Sequence, residues 1–300
     1  MASLLVQFIA GIGHYYERAD PRTKPWPLID SPLLLVLLLA SYNLFVLKIG
    51  PYWMKNRKPF DVRLPMAMYN VLQVLFNGYF FEEALRLVWF NGRYSWVCEE
   101  VDYSYDPLAI WVAKMSWLFM FTKILDLLDT VFMVLRKKQE QISFLHVYHH
   151  TCMVFATWMA VRYVAGGHCV FFGTVNSFVH VIMYFYYFIT TINPEFKKNL
   201  TWKRHITEIQ LIQFVITIAH GSIALLNNHC NFPKFLLALF IPQDVFMLAL
   251  FWDFYKKAYL SKKPKKVKSD EDLEPKNTEE SKNIQFLDLG KDQKQSDKKK

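Results

Sequence analysis

Glycine, proline and cysteine are scarce in this sequence of 300 residues, which contains 10 Gly, 13 Pro and 4 Cys. These counts exclude a collagen-like or mainly disordered chain, and four cysteines are too few for a small disulfide-stabilised scaffold. Charged residues are also few, at 20%, and they are unevenly distributed. The segment 261–300 alone contains 12 Lys and 9 Asp or Glu. The preceding 260 residues are therefore more apolar than the chain average.

Hydrophobic residues make up 53% of the chain and aromatic residues 17%, which is more than a soluble protein of this length normally contains. A membrane-spanning helix needs about 20 mostly apolar residues. Windows of this kind predict an all-α fold of seven transmembrane helices, at 32–49, 65–90, 111–135, 144–164, 170–191, 206–227 and 234–258. The predicted domains are a lumenal segment (1–31), a seven-helix transmembrane domain (32–260) and a disordered Lys-rich cytosolic tail (261–300).

Lys and Arg residues predict the orientation, because cytoplasmic connections carry an excess of them. The connections after the first, third and fifth predicted spans are basic, as is the tail, whereas the other connections contain few basic residues. With seven spans, all the basic segments lie on one side. We therefore predict a lumenal N terminus and a cytosolic C terminus.

The same topology sorts the cysteines by compartment. Cys98 and Cys230 fall in predicted lumenal connections, and the lumen of the secretory pathway is oxidising. A disulfide between Cys98 and Cys230 is therefore a hypothesis, and two free thiols are the alternative.

Polar side chains occur inside four of the predicted spans, where each charged group costs about 2.5 to 3.5 kcal/mol on insertion scales. Their spacing places them on single helical faces. These residues are Lys123, Asp126 and Asp129; His146, His149 and His150; Asn176, His180, Tyr184 and Tyr187; and Thr207, Gln210, Gln213 and His220. Four such faces predict one buried polar chamber, and the helical rise of 1.5 Å per residue places most of it in the cytosolic half of the membrane.

Basic residues flank the predicted cytosolic mouth of this chamber. They are Arg136, Lys137, Lys138, Lys203, Arg204, Lys256 and Lys257. Such a set suits a polyanionic ligand, for example a thioester that bears a nucleotide. The ordinary excess of positive charge in cytoplasmic loops explains the same residues equally well.

Three clustered histidines favour either metal ligation or acyl chemistry. A His-X-X-His-His pattern also occurs in membrane di-iron oxygenases and desaturases, but those sites need further histidine boxes. The sequence has nine histidines, and His14, His168 and His229 fall on the predicted lumenal side. Imidazole acting as a nucleophile or base needs fewer groups, and its attack on a thioester gives an activated acyl-imidazole. A seven-helix transporter or receptor is the remaining alternative.

Several collinear motifs resemble those of the animal very-long-chain fatty acid elongases. The longest run is Lys123-Ile-Leu-Asp126-Leu-Leu-Asp129, followed by His146-Val-Tyr-His149-His150. Asn176-Ser-Phe-Val-His180 and Thr207-Glu-Ile-Gln210 extend it towards the C terminus, and Asn56-Arg57-Lys58-Pro59-Phe60 lies near the front. The resemblance covers about residues 19 to 260, with one departure at Asp126, where the family usually has Glu.

The resemblance implies an enzyme of the endoplasmic reticulum that condenses long-chain acyl-CoA with malonyl-CoA, releasing CoA and carbon dioxide. It implies that His149 accepts the acyl group. His146 and His150 would orient the His149 ring or transfer protons. His180 and Asn176 would bind the malonyl group or stabilise the developing negative charge, and Asp129 and Lys123 would support these two residues without contacting the substrate. Expected substrate contacts are Gln210, Gln213, Tyr184, Tyr187, Arg136, Lys203 and Arg204. No cofactor or metal is expected. The expected partners are the two CoA substrates, membrane lipid and the other enzymes of the elongation cycle.

Overall fold

A computed structural model describes residues 19–261, so the predictions for 1–18 and for the tail from residue 262 lie outside the described residues. Between residues 19 and 261 the structure is helical and contains no strand. Its helices are α1 (Pro32–Met54), α2 (Arg63–Ala84), α3 (Pro107–Leu125), α4 (Leu127–Leu135), α5 (Phe144–Tyr163), α6 (Cys169–Ile192), α7 (Leu200–Leu226) and α8 (Lys234–Tyr255). π-helical turns occur within α1 at Phe45–Ile49, after α2 at Leu85–Trp89 and after α8 at Lys256–Leu260.

Four helical segments are long and apolar enough to cross a membrane: Pro32–Met54, Cys169–Ile192, Leu200–Leu226 and Lys234–Leu260. Many large apolar side chains on their outer faces are exposed, among them Leu33, Leu34 and Val215. An exposed apolar surface of this kind matches a lipid environment. The protein is therefore an all-α membrane protein, although apolar composition identifies fewer spans than the seven predicted. Helices α2, α3 and α5, which correspond to three of the predicted spans, are not among these four.

The third predicted span is interrupted, where the sequence predicts one helix over 111–135. Asp126 separates α3 from α4, and the Asp129 amide bonds to the Asp126 carbonyl instead of to Leu125, four residues back. The Asp126 amide still donates to the carbonyl of Thr122, so the helical hydrogen bonding of α3 continues up to the break. The carboxylate of Asp126 accepts hydrogen bonds from three other side chains, and these tertiary contacts coincide with the break.

Side-chain caps fix where two of these helices begin. Ser143 precedes α5, and its hydroxyl accepts a hydrogen bond from the amide of His146 at 3.3 Å. Asn199 caps α7 by accepting from the amides of Thr201 and Trp202. Such caps satisfy amides that the first turn of a helix leaves unpaired. The Ser143 cap thereby sets the position of the three histidines along α5.

The end of the helix bundle opposite the basic connections is closed by non-helical segments. Asp20 and Arg22 form a buried ion pair at 2.6 Å, and Arg22 also donates to the carbonyls of Ala109 and Ala165. The structure joins Cys98 and Cys230 by a disulfide, which is the pairing that the sequence predicts. This bond links the connection after α2 to the connection after α7.

Candidate active site

Lys123 lies at the centre of the buried polar residues, with 2% of its surface exposed. Its Nζ donates to Asn176 Oδ1 at 2.8 Å, to His180 Nδ1 at 3.3 Å and to Asp126 Oδ2 at 3.4 Å. An ammonium group has three N–H donors, so these contacts use all of them. The Nδ1 of His180 accepts one of these bonds, and the single proton of the neutral ring is therefore on Nε2.

Asp126 and Asp129 are linked by the hydroxyl of one tyrosine. Tyr184 lies 3.0 Å from Asp126 Oδ1 and 2.8 Å from Asp129 Oδ2, and it is fully buried. Asp126 Oδ1 also accepts from Gln73 Nε2 at 2.7 Å. Tyr69 completes the group, because its hydroxyl contacts Tyr184 at 3.1 Å and Gln73 at 3.2 Å. Helices α2, α3, α4 and α6 thus share one polar network around the two buried carboxyl groups. The Tyr184 hydroxyl has a single proton, so it can donate to only one of these carboxyl groups at a time.

The three histidines of α5 have different surroundings. The rings of His146 and His150 are 4.4 Å apart, and those of His149 and His150 are 5.4 Å apart. His146 Nε2 contacts Thr130 at 2.9 Å, and Thr130 contacts Tyr42 at 2.7 Å. Of these three histidines, His149 alone lines the apolar cavity that runs beside α5.

The cavity extends from His149 along one face of α5, with a volume of about 180 Å³. The α5 residues in its wall follow the spacing of a single helical face. They are His149, Cys152, Met153, Ala156, Thr157, Ala160, Val161 and Val164. At a rise of 1.5 Å per residue this wall is about 22 Å long. Helices α2, α3, α6, α7 and α8 supply the other walls, which are mainly apolar.

The remaining residues predicted to form the site lie at its edge or at the basic end of the bundle. Gln213 is buried, Gln210 Nε2 contacts the sulfur of Met183 at 3.4 Å, and the Tyr187 ring packs against Tyr184. Arg136 points to the sulfur of Met66, and Lys203 is exposed. Arg204 is paired with Glu208 at 2.8 Å, so part of its charge is neutralised within the protein. The structure therefore groups the buried ionisable residues around Lys123, and the residues described in this paragraph lie outside that group.

Sequence reasoning missed residues on two helices. Tyr69, Gln73 and Asn77 form a stripe along α2 with a spacing of four residues, and all three are buried. Asp244 lines the cavity from α8. The spacing on α2 was a usable signal, as was an acidic residue in the middle of an apolar helix.

The arrangement can support acyl chemistry through its own side chains. A nitrogen nucleophile borders an apolar cavity, and a buried cation, two carboxylates and amide groups lie on neighbouring helices. Within residues 19–261, no group of three or more His, Cys, Asp or Glu side chains is arranged to hold a metal ion. Fold and site together define a helical membrane protein with a buried polar centre beside a long apolar cavity.

Comparison with known proteins identifies the family. Residues 27–267 match the family model described as ELO, the GNS1/SUR4 family. The chain belongs to this family, because the match covers most of its length.

Curated relatives agree with this assignment. A very long chain fatty acid elongase of Aedes aegypti is 39% identical over 270 residues, covering 90% of this chain and 75% of the relative. Human very long chain fatty acid elongase 4 is 43% identical over 251 residues, covering 84% and 78%. Human very long chain fatty acid elongase 1 is 40% identical over 245 residues, covering 81% and 87%.

Proposed function

We propose that the protein is the condensing enzyme of fatty acid elongation, a 3-oxoacyl-CoA synthase. The proposed reaction joins a long-chain acyl-CoA to malonyl-CoA and gives 3-oxoacyl-CoA, CoA and carbon dioxide. The names of the relatives suggest the class of substrate. The observation that carries the proposal is the position of His149 at one end of the apolar cavity. A nucleophile at the end of a channel for an acyl chain is what acyl transfer requires.

The first half-reaction loads the acyl group onto His149. The lone pair of the imidazole attacks the thioester carbonyl, the carbon–sulfur bond breaks, and CoA leaves as its thiol after gaining the imidazole proton. His150 lies beside His149, and His146 lies beside His150. We assign the transfer of this proton to these two neighbouring imidazoles. The product is an acyl-imidazole whose chain occupies the cavity.

The second half-reaction forms the carbon–carbon bond. Malonyl-CoA loses carbon dioxide, and the electron pair of the broken bond becomes an enolate of the CoA thioester. The enolate carbon attacks the acyl carbonyl and the carbon–nitrogen bond breaks. The departing imidazole of His149 takes up one proton from solvent, which replaces the proton that left with CoA, and neutral His149 is restored. His180 carries its proton on Nε2 because Lys123 donates to Nδ1. We assign His180 and Asn176 to the developing enolate charge, with Lys123, Asp126 and Asp129 positioning them.

The proposed arrangement in the membrane has seven spans, with α3 and α4 together forming the third. The N terminus is lumenal and the C terminus cytosolic, in the membrane of the endoplasmic reticulum. Lys203 and Arg136 lie at the cytosolic end, where CoA phosphates would bind. The disulfide at the opposite end supports this orientation, because the lumen favours disulfides. The other enzymes of the elongation cycle would act on the product, and no cofactor is proposed beyond the two substrates.

The length of the cavity suits a long acyl chain. A bilayer core of about 30 Å contains two layers of lipid tails, or about 15 Å for each chain. The α5 wall of about 22 Å exceeds this length. We therefore propose that the cavity holds chains longer than those of ordinary membrane lipids and that its depth limits the length of the product.

The direct test supplies the purified protein with labelled malonyl-CoA and a series of long-chain acyl-CoAs. Formation of 3-oxoacyl-CoA is expected, and an absence of product from the wild type at every chain length would contradict the proposed function. Loss of a covalent nucleophile typically lowers the rate by several orders of magnitude, so His149→Ala is expected to lose the activity.

His229→Ala is the matched control, because His229 is exposed in the connection after α7, away from the cavity wall. Acyl-CoA supplied without malonyl-CoA is expected to increase the mass of the wild-type protein by one acyl group, and His149→Ala is expected to show no such increase. An active His149→Ala protein would contradict the nucleophile assignment without contradicting the elongase activity.

A further inference from the structure

The end of the cavity furthest from His149 is polar, and two histidines that the proposed reaction does not use lie there. His168 belongs to the turn between α5 and α6, and His220 belongs to α7. Both line the cavity, and their rings stack at 3.9 Å with an angle of 4° between them. Phe171 stacks on His220 at 3.8 Å. This stack fixes the orientation of both imidazoles.

Each of these imidazoles has one buried nitrogen without a hydrogen-bond partner among the described residues: Nδ1 of His168 and Nε2 of His220. His168 is 4% exposed, and its Nε2 lies 3.1 Å from the carbonyl oxygen of His220. A carbonyl oxygen only accepts, so Nε2 of His168 carries a proton and Nδ1 of the neutral ring is a free acceptor. A buried acceptor left unpaired is costly, so this end of the cavity favours a donor.

The backbone holds His168 at this position. Gly166 and Gly167 precede it with φ of 130° and 56°, values that glycine adopts readily. A Cβ on Gly167 would lie 3.0 Å from the carbonyl oxygen of Glu100, and the amide of His168 donates to Glu99 at 3.0 Å. The turn therefore packs tightly against the connection after α2. His168 follows Val164, the last cavity residue of α5, and so lies about 20 Å or more along the helix direction from His149.

We propose that this polar end is a binding site for a hydrogen-bond donor at the ω end of the acyl chain, with a terminal hydroxyl as the simplest such group. The nature of the chain rests on the proposed function. Nδ1 of His168 is itself buried, so the stacked rings must shift to open it. A hydroxyl can then donate to this nitrogen while the apolar walls cover the methylene groups. A terminal methyl group offers no donor and leaves both imidazole nitrogens unpaired.

The test compares ω-hydroxyacyl-CoAs with methyl-terminated acyl-CoAs of equal length, using the full-length protein. Elongation is measured as kcat/KM, and binding is measured by competition with a labelled acyl-CoA. The hydroxyl is expected to increase affinity and kcat/KM about tenfold, equivalent to about 1.4 kcal/mol, at the length that reaches the histidine pair. Shorter chains are expected to show no such preference.

Variants then locate the effect. His168→Phe keeps a ring of similar size but removes the acceptor, so it is expected to abolish the hydroxyl preference while methyl-terminated chains still react. The same replacement at the exposed His229 is the control and is expected to leave the preference unchanged.

The wild-type measurement alone can overturn the proposal. Equal or weaker binding of the ω-hydroxyl chain at every length would do so, as would a preference that His168→Phe leaves intact. An ordered water that already satisfies the pair would give the first of these results. Elongation of methyl-terminated chains reports on the proposed function separately, and the binding measurement reports on this site even if no elongation occurs.

Discussion

At the scale of single residues, the Lys123 ammonium determines how the buried site is held together. It lies 3.4 Å from Asp126, and both side chains are almost completely buried. Isolated charges at such depth are strongly destabilising, whereas a paired and fully hydrogen-bonded cation is tolerated. The side-chain orientations of His180 and Asn176 depend on the same Nζ atom. Stability and the geometry of the site are therefore linked through one residue.

Replacing this cation is expected to destabilise the protein more than replacing the whole pair. Lys123→Met leaves the Asp126 carboxylate buried without a cation and is expected to lower the free energy of unfolding by about 3 to 5 kcal/mol. The double replacement Lys123→Met with Asp126→Leu removes both charges and is expected to be less destabilising. Thermal unfolding in detergent measures the difference.

Lys138→Met is the control. Lys138 is exposed and lies 3.9 Å from Glu140, which is a long distance for an ion pair, and such surface pairs contribute little to stability. A single Lys123→Met variant as stable as the wild type would contradict the expectation. So would a double variant less stable than the single one.

The sequence alone identifies some residues of the buried site but not others. Lys123 and Asp126 stand out because ionisable groups are rare within apolar helices. Gln73 does not, since a single amide in a helix is not unusual and its role depends on α2 packing beside α3 and α6. The pairing of Lys123 with Asp126 rather than Asp129 is likewise set by tertiary contacts that spacing alone leaves open.

At the scale of secondary structure, α5 combines two functions on one helix. The cap at Ser143 fixes its first turn, the histidines occupy the next turns, and small residues follow along the cavity. Ala156 and Ala160 are the small residues in this wall. From His149 they are about 10 Å and about 16 Å along the helix.

These two alanines allow the depth of the cavity to be changed in steps. Ala156→Phe and Ala160→Phe are expected to shorten the longest product, and Ala156→Phe should shorten it more because it blocks the cavity nearer His149. Product lengths are measured by mass spectrometry of the elongated acyl-CoAs.

Leu239→Phe serves as a control of similar size, because Leu239 is 44% exposed on the outside of α8. Unchanged product lengths in both alanine variants would exclude a cavity that limits chain length.

The helices themselves follow from hydrophobic patterning, and the observed ends lie within a few residues of the predicted ones for most helices. The start of α7 is an exception, because the helix begins at Leu200, directly after the Asn199 cap and six residues before the predicted start at 206. The break at Asp126 was not predicted, because the hydrogen bonds that coincide with it come from distant helices. Local patterns specify a helix, and contacts between helices specify its irregularities.

At the scale of the whole molecule, the proposed number of spans decides the relative position of the termini. An odd number places them on opposite sides of the membrane, whereas an even number places them together. Apolar composition identifies four spans, and the proposal adds three more, formed by α2, by α3 with α4, and by α5. The difference between these counts is measurable.

Glycosylation tags at each terminus test the count. In microsomes, an acceptor site added before residue 1 is expected to be glycosylated, and the same site added after residue 300 is expected to remain unmodified. Modification at both ends, or at neither, would contradict seven spans. Modification at the C terminus alone would reverse the orientation.

The disulfide between Cys98 and Cys230 also constrains when the protein can mature. The two cysteines are 132 residues apart, so ribosomal synthesis delivers Cys98 long before its partner. In the proposed orientation, Cys98 waits as a thiol in the lumen until α7 has been inserted and Cys230 has been translocated. The covalent closure of this end of the bundle is therefore a late event of biosynthesis, and it occurs only in chains that have been inserted almost to their last span.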